Sequence, residues 1–369
     1  MSSIDRNRCD HLSAAITLSN IDGIGANRFY QLINSFGSAE KALDAPISQL
    51  EEVPGIGRDI ASRIRESRDC RQTEDIVNQI LKREWNFFLY DDPDYPLPLR
   101  QVIDRPPFLF YLGDYVDQDL NAIAIVGSRS ASEEGRFFAE NLAVTLAQNS
   151  ITVVSGMARG VDISAHRGAL NEKGRTIAVF GCSLDIIYPP EGKNLARKIV
   201  DSGAIFSEFL PGTIPYGPNF PRRNRVISGL SQGVVVIEAA ERSGALSTAS
   251  HAIAQNREVF AVPGSPRSEM SRGTNKLIKE GAKLLTSVQD IFQELPRLKG
   301  QVKSGQVKNF DDLTDIERQI LMTFANGPVH IDYLTRSLNQ PLPELLQILL
   351  ALELKGIIKE LSGKRYILV

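Results

Sequence analysis

What most constrains this chain is a set of six short apolar runs, at residues 122–126, 151–155, 176–180, 204–207, 234–237 and 259–262, with longer helical stretches between them. Inside each run the hydrophobic residues are continuous instead of alternating with polar ones, and Val and Ile dominate. Strands of that kind are buried on both faces, a condition met by a parallel sheet covered by helices on either side. The predicted fold class is therefore α/β, with a Rossmann-like, doubly wound, mostly parallel sheet. In such a sheet ligands sit beyond the carboxyl ends of the strands, so the residues just after each run are the ones to read for chemistry.

The texture differs on both sides of this region, and 369 residues are enough for two or three domains. Residues 1–82 read as a helical domain with a weak repeat, in which Ile21-Asp-Gly-Ile-Gly25 returns as Val53-Pro-Gly-Ile-Gly57. The repeat resembles a SAM-like helix-hairpin-helix pair, with Arg28 and Arg58 close behind the hairpins. Two readings stay open: hairpins whose amides hold a phosphate, or turns that only join a helical bundle. The sheet domain is assigned to 83–295 and opens with a Pro- and aromatic-rich connector over 82–120, expected to be extended and packed. A flexible linker is expected at 296–310. At 311–369, three helical stretches broken at Asn326-Gly-Pro and a terminal hairpin make a winged helix-turn-helix domain.

Composition narrows the function classes. Hydrophobic residues make up 42% and charged residues 23%, as in an ordinary folded protein. With a net charge of −2, any polyanion must be held by a local patch, not by the field of the whole molecule. Cys9, Cys70 and Cys182 are unpaired in spacing, and the four histidines show no ligand pattern, so neither a disulfide framework nor a metal site is expected, and no cofactor is called for. The polar N-terminal sequence and the lack of any apolar run of about 18 residues point to a cytoplasmic protein without a membrane segment.

The strand-terminal loops are rich in Gly, Ser and Arg: Gly127-Ser128-Arg129 after the first run, Ser155-Gly156 through Arg159-Gly160 after the second, and Ser243-Gly244 with Thr248 after the fifth. Bare amides beside hydroxyls and guanidinium groups at helix starts suit a phosphate ester. Neither the six-residue dinucleotide fingerprint nor the nucleotide-hydrolase phosphate loop is present. From Phe209 to Ile237 there is no Asp or Glu, while Phe220, Arg222, Arg223, Asn224 and Arg225 fall together with Tyr216 just before them. Cations interleaved with aromatic rings suit an unpaired strand, the bases stacking and the phosphates pairing. Asp162 and His166, four residues apart on one helix face, are read as a structural pair holding a loop, since no nucleophile can be tied to them. Leu277, Ile278, Leu284 and Leu285 are the candidate dimer surface near the sheet edge, with simple core packing open as the alternative for each.

These stretches together resemble one family. Ala124-Ile-Val-Gly-Ser-Arg, Val154-Ser-Gly-Met-Ala-Arg-Gly-Val-Asp with Ala165-His, Tyr188-Pro-Pro, Phe220-Pro-Arg-Arg-Asn-Arg, Glu238-Ala with Ser243-Gly-Ala-Leu-Ser-Thr, and Val262-Pro-Gly with Gly273-Thr-Asn275-Lys-Leu-Ile are similar, in order, to the DprA/Smf DNA-processing proteins. One departure is the basic Arg159 with Val161, where the family motif is often less basic and richer in Ile. The resemblance implies binding of incoming single-stranded DNA in natural transformation, a homodimer, and loading of the RecA recombinase, with the Gly-Ser-Arg loop and the Phe-Pro-Arg-Arg-Asn-Arg helix forming the basic pocket. It implies a binding protein, not an enzyme.

Two other classes compete. A nucleotide N-glycosidase on a related fold would use Glu238 beside Ser243 and Gly244. A transcription regulator would use the winged domain, whose third helical stretch, residues 342–355, holds two acids and a single late lysine and suits protein packing better than a DNA groove.

Overall fold

The structure, a computed structural model, describes residues 3–67, 71–301, 314–324, 329–338, 340–355, 357–361 and 363–368. Its centre is a nine-stranded sheet: β1 (Asn86–Leu89), β2 (Phe108–Gly113), β3 (Ala122–Gly127), β4 (Thr152–Ser155), β5 (Thr176–Val179), β6 (Ala204–Ser207), β7 (Gly233–Ile237), β8 (Glu258–Ala261) and β9 (Lys283–Leu284). The spatial order is β1-β2-β6-β5-β4-β3-β7-β8-β9. All pairs from β6 to β9 are parallel, and β2 runs antiparallel to both β1 and β6. Each apolar run has become a strand, and β3, β4, β5, β6 and β7 are buried along nearly their whole length. Helices cover both faces, so continuous burial follows from the doubly wound arrangement.

After β3 the chain winds toward β4, and after β6 it crosses back to lay β7 on the other side of β3. That reversal opens a crevice at the carboxyl ends of β3, β4 and β7. The connector contributes more than packing. Its aromatic residues form β1 and β2, with Phe87 opposite Phe110 and Phe88 opposite Leu109, while the intervening prolines turn the chain. Phe88 stacks on Tyr111 at 4.6 Å between ring centres.

The helices Ser3–Asn20, Ala26–Phe36, Ala39–Asp44, Ile47–Leu50, Arg58–Glu66 and Arg71–Lys82 make the N-terminal region. Gly23 and Gly55 take φ of +93° and +78° at the two hairpins, conformations that L side chains avoid. Arg28 is turned back onto the carbonyl of Gly23 at 2.6 Å. These helices share one apolar cluster with the sheet, in which Leu12, Ile16, Leu32 and Ile80 join Trp85, Phe110, Phe180 and Ile205.

At the other end, helices Asp315–Thr323, Ile331–Leu338 and Leu342–Leu354 with strands Ile358–Leu361 and Arg365–Leu368 form the winged domain around its own core. Its hairpin lies against the helix Glu133–Gln148: Arg365 is 3.7 Å from Glu134, and the Lys359 ammonium is 5.4 Å from the Phe137 ring centre. The break at Asn326-Gly-Pro and the linker beyond Gln301 lie outside the described residues. The start of the expected linker is not free chain, because Pro296–Gln301 forms a 3₁₀ turn and Leu298 is buried with Ile291 and Phe292.

Two of the four candidate dimer residues are corrected. Leu285 is fully buried in the core beside Phe260, and Leu277 is buried among Val259 and Ala261, so neither offers surface. Apolar β-strand and helix ends at a sheet edge look alike in sequence whether they face inward or outward. Leu284 is half exposed on the edge strand β9, and Ile278 is partly buried.

Candidate nucleic-acid interface

Three helices of eleven residues begin at the crevice: Val161–Asn171, Asn219–Gly229 and Gly244–Ala254. Their dipoles place positive potential at one spot, although several first-turn amides are already bonded, as Val161 is to the Ser128 carbonyl and Ala245 to the Ser243 hydroxyl. Between them lies a cleft of about 570 Å³, lined by Gly127, Ser128, Arg129, Ala158, Asp162, Phe220, Arg223, Asn224, Arg242, Ser243, Gly244 and Thr248. Four separate stretches of sequence thus meet as expected. A side pocket of about 170 Å³ continues past Arg129 and Arg223 to Gly156, Arg159, Tyr188 and Phe220.

The loop after β3 is held by close backbone approach. The Ser128 amide donates to the Glu238 carbonyl at 2.7 Å, and a Cβ on Gly127 would overlap the Ile237 carbonyl oxygen. Arg129 leaves this loop exposed, with its guanidinium 4.9 Å from the centre of the Phe220 ring. The Tyr188 ring lies 5.9 Å from Phe220, tilted by 40°. The cleft therefore sets a cation over one face of a half-buried aromatic ring.

The arginines of the Asn219–Gly229 helix do not act alike. Helical phase puts Arg222 and Arg225 on one side and Arg223 about 100° away. Arg223 is buried under the cleft floor, where it donates to the carbonyls of Gly156, at 2.5 Å, and Val179. Burial lowers its pKa to about 10, the Asp162 carboxylate acting against that, so it stays charged at neutral pH. Gly156 is required by this contact, since a Cβ there would come within 2.6 Å of the guanidinium. Arg225 is also buried, bonded to Glu208 at 2.5 Å and to the Asp104 carbonyl, away from the main cleft. Its expected place in that cleft is corrected: a carboxylate just upstream of the acid-free stretch engages it. Arg222 is half exposed, 3.2 Å from the same Glu208 oxygen, and faces a second groove beside Gly25 and Arg28 of the first hairpin.

Most other expected residues have their polar groups engaged within the protein. Asp162 and His166 do not pair with one another. Asp162 accepts from the Ala158 amide at 3.1 Å, and burial raises its pKa, with Arg223 opposing. His166 bonds the Thr176 hydroxyl at 2.7 Å, and burial lowers its pKa to about 3 with Arg223 adding to the effect. A helix spacing of four brought both inward, where each found a nearer partner. The Glu238 carboxylate accepts from the Ser132 amide at 2.7 Å and the Ser132 hydroxyl at 2.5 Å and does not line the main cleft. Glu238 itself sits at φ +48°, in the left-handed region. Asn275 holds both backbone groups of Gly264. Asn224 donates to the Gly244 carbonyl at 3.2 Å, tying the middle of its helix to the start of the next. Ser243 caps the helix that Gly244 begins, and Thr248 is buried. Arg159 pairs with Glu191 at 2.5 Å on the surface, with both side chains more than half exposed, an arrangement that contributes little to stability.

Arg242, an exposed lining residue, was not read from the sequence; its neighbour Glu241 masks it in any charge count. Among the described residues no cluster of His, Cys, Asp and Glu could hold a metal ion, and no helix is long and apolar enough to cross a membrane.

Residues 86–296 match the family model for the DNA recombination-mediator protein A, 309–364 match the DprA winged helix domain, and 15–68 match a SAM-like helix-hairpin-helix tandem. The chain belongs to the DprA/Smf family. A Smf protein of Synechocystis is 31% identical over 94% of this chain and 96% of its own length. The DNA processing protein DprA of Streptococcus pneumoniae is 43% identical over 57% of this chain and 73% of its own. Its crystal structure superposes with a TM-score of 0.57 at 35% identity, covering 73% of this chain and 98% of that one. DprA of Helicobacter pylori, whose structure describes a single-stranded DNA binding mode, gives a TM-score of 0.52 at 30% identity, covering 58% of this chain and 96% of that one.

Proposed function

We propose that this DprA/Smf protein binds single-stranded DNA across the cleft at the ends of β3, β4 and β7, and acts in DNA uptake by protecting the strand and loading RecA onto it. The observation that carries the reading is Arg129 poised over Phe220 at the meeting point of three helix N-termini. Helix dipoles and guanidinium groups pair with phosphates, while Phe220 and Tyr188 offer faces on which bases stack. A duplex hides its bases, so a site that uses ring faces favours the single strand.

The protein is a binder in this reading, not an enzyme, and is cytoplasmic. The glycosidase alternative needs a carboxylate free to reach a ribosyl bond, whereas Glu238 is engaged by Ser132. Its dimer is placed at the exposed Leu284 of the edge strand, with Ile278 beside it. The decisive experiment is a gel-shift comparison of single-stranded and double-stranded oligonucleotides, with nucleoside phosphates assayed in parallel. Single-strand preference without turnover is expected. Base release that disappears in Glu238→Gln would replace this reading with the glycosidase, and equal affinity for duplex would remove the role assigned to the aromatic rings.

A further inference from the structure

The side pocket leads away from the main cleft. It shares Arg129, Ser130, Phe220 and Arg223 with the cleft and reaches Arg159 and Tyr188, which is 38% exposed. Beyond Tyr188 the chain passes through Pro189 and a short 3₁₀ turn, Pro190–Gly192, into the helix Lys193–Ser202. Gly192 lies so close to Met157 that a Cβ there would come within 2.7 Å of its methyl carbon, which sets the start of this helix against the loop that carries Arg159. At the joint, Glu191 accepts from Arg159 at 2.5 Å.

The helix Lys193–Ser202 buries Ala196 and Ile199 in the apolar cluster beneath it and exposes Lys193, Arg197 and Lys198. At 100° per residue these three fall within an arc of about 140°, with Lys193 and Arg197 nearly in line and about 6 Å apart along the axis. None has a hydrogen-bond or ion-pair partner among the described residues. Nor does the helix gain from its charges. Its first turn holds Lys193 and no acid, while its one acid, Asp201, stands in the last turn, each the reverse of what the helix dipole favours. Cations placed in this way are stabilised by an anion that comes from outside.

We propose that a single strand lying in the cleft leaves it past Tyr188 and Arg159 and continues along this helix, with its phosphates on Lys193, Arg197 and Lys198. At the crossing Arg159 exchanges Glu191 for a phosphate, which a pair so exposed and so weakly held permits. Asp201 bounds the stripe at the far end. The helix has no aromatic residue, so it holds backbone alone, and bases are gripped only in the cleft. The path rests on the single-strand reading and lengthens the site by about 7.5 Å, the rise from Lys193 to Lys198.

The test uses the full chain and two oligothymidylates, of about 4 and about 30 nucleotides, one at the lower limit of the roughly 4–16 that a single-strand groove covers and one beyond it. Anisotropy across a salt series should give a slope of log affinity against log salt that is steeper on the long strand by about 2, three contacts at roughly −0.7 each. Lys193→Ala with Arg197→Ala and Lys198→Ala, at exposed positions where Ala favours helix, should abolish that difference and leave short-strand affinity unchanged. Lys276→Ala with Lys279→Ala and Lys283→Ala, by the β9 edge of the sheet, should preserve it. Glu191→Gln frees Arg159 and should tighten long-strand binding. In wild type, acetylation of Lys193 and Lys198, read by mass spectrometry, should be blocked by the long strand and not by the short one, a readout that holds whether or not the triple variant folds.

A triple variant that is folded by circular dichroism and keeps the wild-type difference would overturn the path. So would equal acetylation with and without the long strand, an equal loss in the β9-edge variant, or no gain in Glu191→Gln. If the short strand still binds through Arg129 and Phe220 while these results appear, the path alone fails; if neither strand binds, the single-strand reading fails with it.

Discussion

Salt dependence separates the cations that face DNA from those that hold the fold. Arg129 and Arg242 are exposed at the cleft, and Arg222 is half exposed at the second groove, whereas the Arg225 side chain is only 7% exposed and bonded to Glu208. If each of the three outward arginines neutralises one phosphate, the slope of log affinity against log salt is about −2, at roughly −0.7 per contact on a single strand. Replacing Arg129 and Arg242 by Ala should flatten it by about 1.4, so a tenfold rise in salt weakens wild type by roughly 100-fold and the double variant by only about fivefold. Arg225→Ala should leave the slope unchanged. It strips the closest partner from a carboxylate whose side chain is 2% exposed, and breaking a buried pair costs about 3–5 kcal/mol, less here by whatever Arg222 retains. Anisotropy of a labelled oligothymidylate measured across a salt series, with melting curves on the same samples, reads both effects. A double variant with the wild-type slope would mean that the strand avoids the cleft. A flattened slope with normal melting in Arg225→Ala would refute the structural role given to that residue.

Phe220→Ala should weaken single-strand binding by about 1–3 kcal/mol without changing the salt slope, because stacking releases no counterions; a change in slope would show that Phe220 acts by positioning Arg129. Native His166 stays neutral down to about pH 3, against 6.5 for the ordinary group. The unfolded chain therefore takes up the extra proton between those values, and stability is lost as pH falls below 6.5, by at most about 1.4 kcal/mol per unit. Asp162, whose pKa is raised, contributes in the opposite sense above its ordinary value. Urea unfolding at pH 7 and pH 5 should show a smaller loss in His166→Leu than in wild type, and equal losses would refute the assignment. Leu284→Glu should dissociate a dimer and leave the protomer folded, whereas Leu285→Asp should unfold it, since Leu285 is fully buried. A monomeric, fully folded Leu285→Asp protein would contradict the core placement.

The parallel sheet was legible because strands covered on both faces must be apolar in their middles, and β3 to β8 follow that rule, with Thr152, Ser155, Thr176, Ser207 and Glu258 only at strand ends. So was the convergence of the loops, since topology alone sends the residues after those strands to one crevice. The direction of individual side chains was less so. Arg222, Arg223 and Arg225 form one basic cluster in sequence, but a rotation of about 100° per residue divides them between groove, cleft floor and buried ion pair. Helical phase could have set Arg223 apart from the other two. Nothing local could have named Glu208 as a partner across 17 residues of chain. The antiparallel β1 and β2 were equally hidden, because prolines between two aromatic runs suggest a connector, and only the sheet edge at β6 makes them strands.

The apolar cluster that runs from Leu12 through Ile80 to Phe110 and Ile205 joins two regions that the chain presents as separate. The winged domain instead closes its own cluster, from Ile320 to Tyr366. Gene rearrangement therefore meets two unlike modules. A lineage can gain, lose or exchange the winged domain at little cost to the rest, because among the described residues its removal strips surface contacts such as those of Arg365 and Lys359. Loss of the N-terminal helices would uncover Tyr90, which packs on Phe29 and Tyr30, and the edge of the sheet at Trp85 and Phe110, an exposed patch that invites aggregation. A shortened descendant could survive that loss only by recolouring the same sheet face with polar residues or by recruiting another protein to cover it.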